Sequence, residues 1–201
     1  DQAINAFLGY LKNYPQSANG DEANYFIADA HYKLGQKEKA LEYFYLIEKV
    51  KASTQRIKAV QRIAALEMEQ SNYKQAIGFY REAINYSRNK IEEFEVFSGL
   101  MNAYYQTQKF DSAAYFADRV VQLGSVTQDA VPEATLLKAK SQREMGKETE
   151  ADGTLMELIN EYKTVHGAEG LFVLAEGQSQ KENYEQSNNT IFDFSGPFFP
   201  Y

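Results

Sequence analysis

The sequence predicts an all-α chain, an array of antiparallel helix pairs stacked side by side, and three observations carry that prediction. An alanine recurs at Ala3, Ala40, Ala76, Ala113 and Ala151, with Ser187 in the last place, at spacings of 37, 36, 37, 38 and 36 residues. A self-similar period of this size is the signature of helical hairpins repeated in tandem. Four residues after each stands Phe7, Phe44, Tyr80, Ala117, Leu155 or Ile191, so in every repeat but the last, where the serine stands, two apolar side chains share one helix face. Hydrophobic residues make up 44% of the 201, ordinary for a chain that buries a core, and no apolar run approaches the roughly 20 residues of a membrane span.

The helices follow in order at 3–13, 21–34, 37–50, 53–70, 73–86, 90–107, 110–123, 131–145, 148–162, 166–180 and 184–195. The first reads as the second helix of a pair, without initiator methionine or signal peptide before it, and the chain therefore reads as a piece of a longer protein. Gly20-Asp21 offers a stop followed by an N-cap for the helix after it. Pro132 stands just inside a helix start, where its missing N–H costs nothing. The weakest element is 166–180, where Gly177 interrupts and Gln178-Ser179-Gln180-Lys181 lacks apolar spacing. Gly196 and Pro197 end the last helix.

The alternation of small and large has a packing reason. Where the two helices of a pair cross, their backbones approach so closely that only a small side chain fits, and the larger residue one turn later fills the wider gap beside it.

Around each marked alanine a longer pattern recurs, clearest in Asn24 to Gly35 followed by Ala40 to Ile47, and it resembles the tetratricopeptide repeat over essentially the whole chain. The resemblance implies a right-handed superhelical array of helix pairs, A and B, with a small residue in mid-helix A, here Ala28, Ala64, Met101, Ala139 and Ala175. An aromatic opens helix B at Tyr73, Phe110 and Tyr184. Leu34-Gly35 and Met145-Gly146 fit the turn between A and B, where glycine takes the positive φ that closes a helix. On this reading residues 1–16 are a half repeat, and five repeats occupy about 21–52, 53–88, 89–124, 131–163 and 166–196, with no domain boundary. The family's usual repeat, about 34 residues, is shorter. The extra length falls in the connection from helix B to the next helix A, at Asn13-Tyr14-Pro15 and Glu161-Tyr162-Lys163, in a style similar to that of bacterial outer-membrane-assembly lipoproteins. That likeness implies a periplasmic or outer-membrane-associated location.

Charge narrows the partners. A net charge of −7 and a pI near 5.0 argue against nucleic acid, which needs a surplus of Lys and Arg on one face. The absence of cysteine removes disulfides and thiolate metal sites.

The family resemblance places function on the concave face, lined by helix A of each repeat. Its groove positions map onto Tyr25, Asp29 and Tyr32, then Lys58, Arg62 and Met68, then Ser98, Asn102 and Tyr105, then Leu136, Lys140 and Arg143, and finally Phe172, Glu176 and Ser179. Tyrosine combines rigid contact area with a hydrogen-bonding tip, so Tyr25, Tyr32 and Tyr105 suit an extended peptide or a partner helix. The alternative is that these tyrosines only finish the packing between helices.

Residues 51–62 carry Lys51, Arg56, Lys58 and Arg62 and no acid, with Lys58 and Arg62 spaced to share a helix face. One reading is a carboxylate site, since Lys58 and Arg62 match part of the clamp with which some family members hold a chaperone's C-terminal carboxylate. Phe26 and Tyr25, however, stand where that clamp has asparagine and lysine. A solvated basic face answered by neighbours such as Glu22 or Glu95 is therefore the preferred reading.

Catalysis, metals and cofactors find no support. His31 and His166 lie far apart, and His31 takes the place of a packing tyrosine, which makes it a core residue. No His-Glu-x-x-His, phosphate-cradling glycine loop or Gly-x-Ser-x-Gly is present. Pairs such as Glu92-Glu93 are ordinary on helix surfaces, and Asn188-Asn189-Thr190 matches a glycosylation sequon that arises often by chance. The expectation is a non-enzymatic protein-binding scaffold with a protein or peptide partner. A structural segment of a long envelope assembly protein is the alternative, with self-association through the apolar Phe198, Phe199 and Tyr201, and an enzyme or a regulator of one, which would need a buried polar constellation, stands third.

Overall fold

The computed structural model describes residues 2–180, and every regular element among them is an α-helix. The helices are α1 (Gln2–Asn13), α2 (Gly20–Lys33), α3 (Lys37–Glu48), α4 (Arg56–Glu69), α5 (Tyr73–Ile84), α6 (Lys90–Gln106), α7 (Phe110–Leu123), α8 (Ala130–Glu144), α9 (Glu148–Glu161) and α10 (Val165–Gln180). The helix expected at 184–195, with Tyr184, Ser187, Ile191, the sequon and the terminal aromatics, lies outside the described residues. The chain divides after Arg88 into two compact units.

In the first unit α1 packs on α2, α2 on α3, α3 on α4 and α4 on α5. Ala28, Ala40, Phe44, Ala59, Ile63 and Leu66 form its core, with the Tyr25 ring edge-on to Phe44 at 5.6 Å. In the second unit each helix from α6 to α10 packs on the next, and α8 also touches both α6 and α10, so the helices A form a layer of their own. Leu136, Ala139, Leu155, Leu158, Leu171 and Leu174 fill the space between α8, α9 and α10.

The marked alanines sit where close packing requires them. Ala40, Ala76, Ala113 and Ala151 are fully buried, as are the mid-helix Ala28, Ala64 and Ala139, while Met101 and Ala175 keep no more than a sliver of surface. Ala3 differs. It is exposed and Ile4 is buried instead, because α1 packs on α2 alone among the described helices.

One turn recurs at all four A-to-B junctions. The N–H of Gln36, Asn72, Lys109 and Lys147 donates to the carbonyl five residues back, on His31, Glu67, Tyr104 and Gln142, at 2.8–2.9 Å. The residue before each donor has a positive φ: Gly35 (+74°), Ser71 (+62°), Gln108 (+58°) and Gly146 (+73°). This is the Schellman closure, in which a left-handed residue lets two N–H groups reach the orphan carbonyls of the last turn. The sequence pointed only to the two glycines; serine and glutamine adopt the same conformation in the middle repeats. His31 is buried at the first junction, its Nδ1 2.7 Å from Gln36 Oε1 and its ring stacked on Tyr43 at 5.7 Å.

Other ends correct the sequence reading. α2 starts at Gly20, so Asp21 lies in the first turn beside the positive helix end rather than capping it. α4 starts at Arg56, three residues later than expected, because Ser53 closes a turn onto Val50. Asn89, not foreseen as a cap, accepts the N–H groups of Ile91 and Glu92 at 3.0 Å each. Gly177 does not interrupt α10: the helix runs through it, and Gly177 is buried against α8.

Candidate functional site

In the first unit, α2 and α4 bring together the residues chosen from the sequence. Tyr25, Asp29 and Tyr32 recur at helical spacing on α2, and Lys58 and Arg62 stand one turn apart on α4. Lys58 Nζ lies 6.0 Å from the centroid of the Tyr25 ring, and the Arg62 guanidinium 5.8 Å from that of Tyr32. Asp29 is paired with Lys33 at 2.7 Å, and Glu69 with Lys37 at 2.6 Å while it accepts the Tyr32 hydroxyl at 3.2 Å. Burial works against the charge on Arg62, but a hydrogen bond with Tyr25 and the nearness of Asp29 outweigh it and raise its pKa.

The basic stretch is answered differently from expectation. Glu22 and Glu95 play no part; Arg56 pairs with Glu82 and with Glu48, at 3.5 Å from the latter, and donates to the Glu48 carbonyl at 2.9 Å. Arg56 thereby caps the exposed end of α3. Lys58 and Arg62 rest on tyrosine faces, which attract a cation through the ring quadrupole.

In the second unit, α6, α8 and α10 surround an open pocket of about 300 Å³. Asn102, Tyr105, Leu136 and Lys140, four of the sequence-chosen residues, line it. Asn102 is steadied by its amide donating to the Ser98 carbonyl at 3.1 Å, and Tyr105 by edge contact with Phe110 at 5.5 Å. Burial, and then the charge of Glu144, hold the Tyr105 hydroxyl above its ordinary pKa despite Lys140. The hydroxyl therefore stays a neutral donor at physiological pH. Lys140 Nζ meets Glu169 at 2.5 Å, and His166 Nε2 stands 3.9 Å from Asp129.

Arg143 does not line this pocket. Its guanidinium is drawn between α9 and α10, donating to Asp152 at 2.8 Å and to the Val173 carbonyl at 2.5 Å. Phe172 and Glu176 also lie outside it and are exposed.

Five lining residues were missed from the sequence, namely Gln106, Glu133, Leu137, His166 and Glu169. A signal for two of them exists in the repeat register. Six residues before the mid-helix small residue stand Glu22, Lys58, Glu95, Glu133 and Glu169, a glutamate in every repeat but one.

A tetratricopeptide-repeat family model matches residues 133–164, which span α8, α9 and the turn between them. Residues 133–164 thus carry a tetratricopeptide repeat. Solved structures extend the likeness of these repeats along the chain. YrrB, described as a TPR protein with an unusual peptide-binding site, has a TM-score of 0.68 at 15% identity, covering 96% of this chain and 94% of its own. MamA from AMB-1 has a TM-score of 0.68 at 12% identity, with 88% and 91% covered. A tetratricopeptide-repeat protein from Parabacteroides merdae has 0.67 at 14% identity, with 96% and 73% covered. At such identities the likeness is one of fold. No curated protein sequence matches the chain. The tetratricopeptide fold is that of protein-protein interaction scaffolds, generally non-enzymatic. Among the described residues, no helix is long and apolar enough to cross a membrane.

Proposed function

We propose that this tetratricopeptide-repeat chain is a binding scaffold that presents the inner faces of its A helices to an extended peptide or a helix of a partner protein. One observation carries the reading: residues from three successive A helices, among them Asn102, Tyr105 and Lys140, converge on one open pocket. Its lining mixes an apolar floor with a few fixed polar groups, the usual make-up of a recognition site. In the first unit, Tyr25, Asp29, Tyr32, Lys58 and Arg62 form the corresponding face, with aromatic rings held in place by cations. Arg143 supports this role from behind by anchoring α8 to its neighbours. The similarity to YrrB, itself described as having a peptide-binding site, is consistent with such a role.

The test is a peptide-display selection on the intact chain, followed by affinity measurement with the triple variant Tyr32→Ala, Arg62→Ala, Tyr105→Ala. A loss of tenfold or more, about 1.4 kcal/mol, is expected for the selected peptides. Unchanged affinity in a variant that keeps its helical circular dichroism would show the inner faces to be idle.

A further inference from the structure

The two units differ in charge as well as in position along the chain. Residues 1–88 hold 10 Asp and Glu against 12 Lys and Arg, a formal +2, whereas residues 89–180 hold 15 against 8, a formal −7. The whole-chain charge of −7 conceals this asymmetry. Part of the difference is written into the repeat: at the register six before the mid-helix small residue, the second unit has Glu95, Glu133 and Glu169, while the first has Glu22 and Lys58.

The pocket of the second unit sits in that acidic field. Around it stand Glu133 and Glu169, with Asp129 beside His166 and Glu144 close enough to act on Tyr105, while Lys140 and His166 are the basic groups among the described residues that line it. Lys140 is spoken for by Glu169. Glu133 is exposed at the pocket wall, with no cation in ion-pair range among the described residues. Leu136 and Leu137 offer apolar surface, and Tyr105 an aromatic one, beside these acids. A long cationic side chain needs both: apolar surface along its methylenes and a carboxylate or ring at its tip.

We infer that the pocket between α6, α8 and α10 takes a lysine or arginine side chain from a basic segment of the partner, with Glu133 receiving its charge and Tyr105, Leu136 and Leu137 its stem. This rests on the scaffold reading above and adds the chemistry of the segment. A field of one sign also steers such a segment to the face before contact is made. The first-unit face, where Lys58 and Arg62 already occupy the tyrosine rings, lacks this preference.

The experiment titrates the isotopically labelled full chain with three capped nonapeptides, identical except that alternate positions are lysine, norleucine or glutamate, and follows backbone amide shifts. The lysine peptide is expected to move the amides of Asn102, Tyr105, Leu136 and Lys140. It should bind at least tenfold more tightly than the norleucine peptide, weaken as salt is raised, and lose that advantage in Glu133→Gln and Glu133→Lys. Equal binding of the lysine and norleucine peptides at these amides, or tighter binding of the glutamate peptide, overturns the charge preference while leaving the inner face a binding surface. So would display-selected peptides that shift the same amides and carry no basic residue. Absence of any shift there with all three peptides and with the display-selected ones overturns both this inference and the scaffold reading. Because Glu133 is exposed, its variants are expected to melt with the parent chain, and a lowered melting temperature would move the test to the salt dependence of the unaltered protein.

Discussion

The guanidinium of Arg143 occupies the space that a side chain on Gly177 would need. A Cβ at position 177 would stand 2.1 Å from both Nη1 and Nη2, and those nitrogens are the ones that donate to Val173 and Asp152. Glycine in mid-helix normally costs about 0.5–1 kcal/mol relative to alanine. Here it leaves room for an arginine that ties α8 to α9 and α10.

Gly177→Ala is therefore expected to destabilise the chain by about 1–2 kcal/mol, because displacing Arg143 loses charge-assisted hydrogen bonds worth more than the gain in helix propensity. In an Arg143→Ala background the same change should become neutral or stabilising. Chemical denaturation of the four members of this double-mutant cycle checks it; equal effects in both backgrounds would separate the two residues.

Ala76→Leu and Ala113→Leu should each cost on the order of 1–3 kcal/mol, since both alanines are fully buried at helix crossings. Ala3→Leu, at an exposed position of the same repeat pattern, serves as the contrast and should fall within about 0.5 kcal/mol. Thermal melts that rank the three together would refute the crossing geometry.

Ser71 and Gln108 hold a left-handed backbone that costs an ordinary L-residue about 1–2 kcal/mol. Ser71→Gly and Gln108→Gly relieve it and should stabilise by about 0.5–1 kcal/mol, after the extra flexibility of glycine in the unfolded chain is subtracted. Gly35→Ala and Gly146→Ala should shift stability the other way, although nothing lies within 4 Å of either added methyl group. The decisive reading is the opposite sign of the two pairs in urea midpoints.

Tyr45 donates its hydroxyl to the buried Glu67 at 2.7 Å, and Asn72 donates to the other carboxylate oxygen at 2.7 Å. Burial first, and then the hydrogen bond and charge of Glu67, raise the Tyr45 pKa from 10.0. A pKa raised on folding means a contribution complete below the unfolded value, near 10, and lost as pH climbs from there toward the folded value. Stability should thus fall above about pH 10, and Tyr45→Phe should flatten that fall while lowering stability at neutral pH by about 1–3 kcal/mol, for a buried acceptor left short of a donor. Denaturation midpoints for the two proteins at pH 7 and through the alkaline range provide the comparison.

Periodicity alone determined the ten described helices, their pairing and the small residues at their crossings, because a side chain's place on a helix follows from its number and the repeat length. The resemblance to the tetratricopeptide repeat, rather than periodicity, chose Asn102, Tyr105, Leu136 and Lys140 as groove positions. What it could not show was where long side chains end. Arg143 has the register of a groove residue, yet its reach carries the charge to Asp152 and Val173; Arg56 finds Glu48 and Glu82; and Ser71 and Gln108 accept a conformation that their types resist because the turn they close is fixed by the packed helices on either side. Only the tertiary structure decided these matters, since a flexible charged side chain selects among partners far apart in sequence according to what burial has left unpaired.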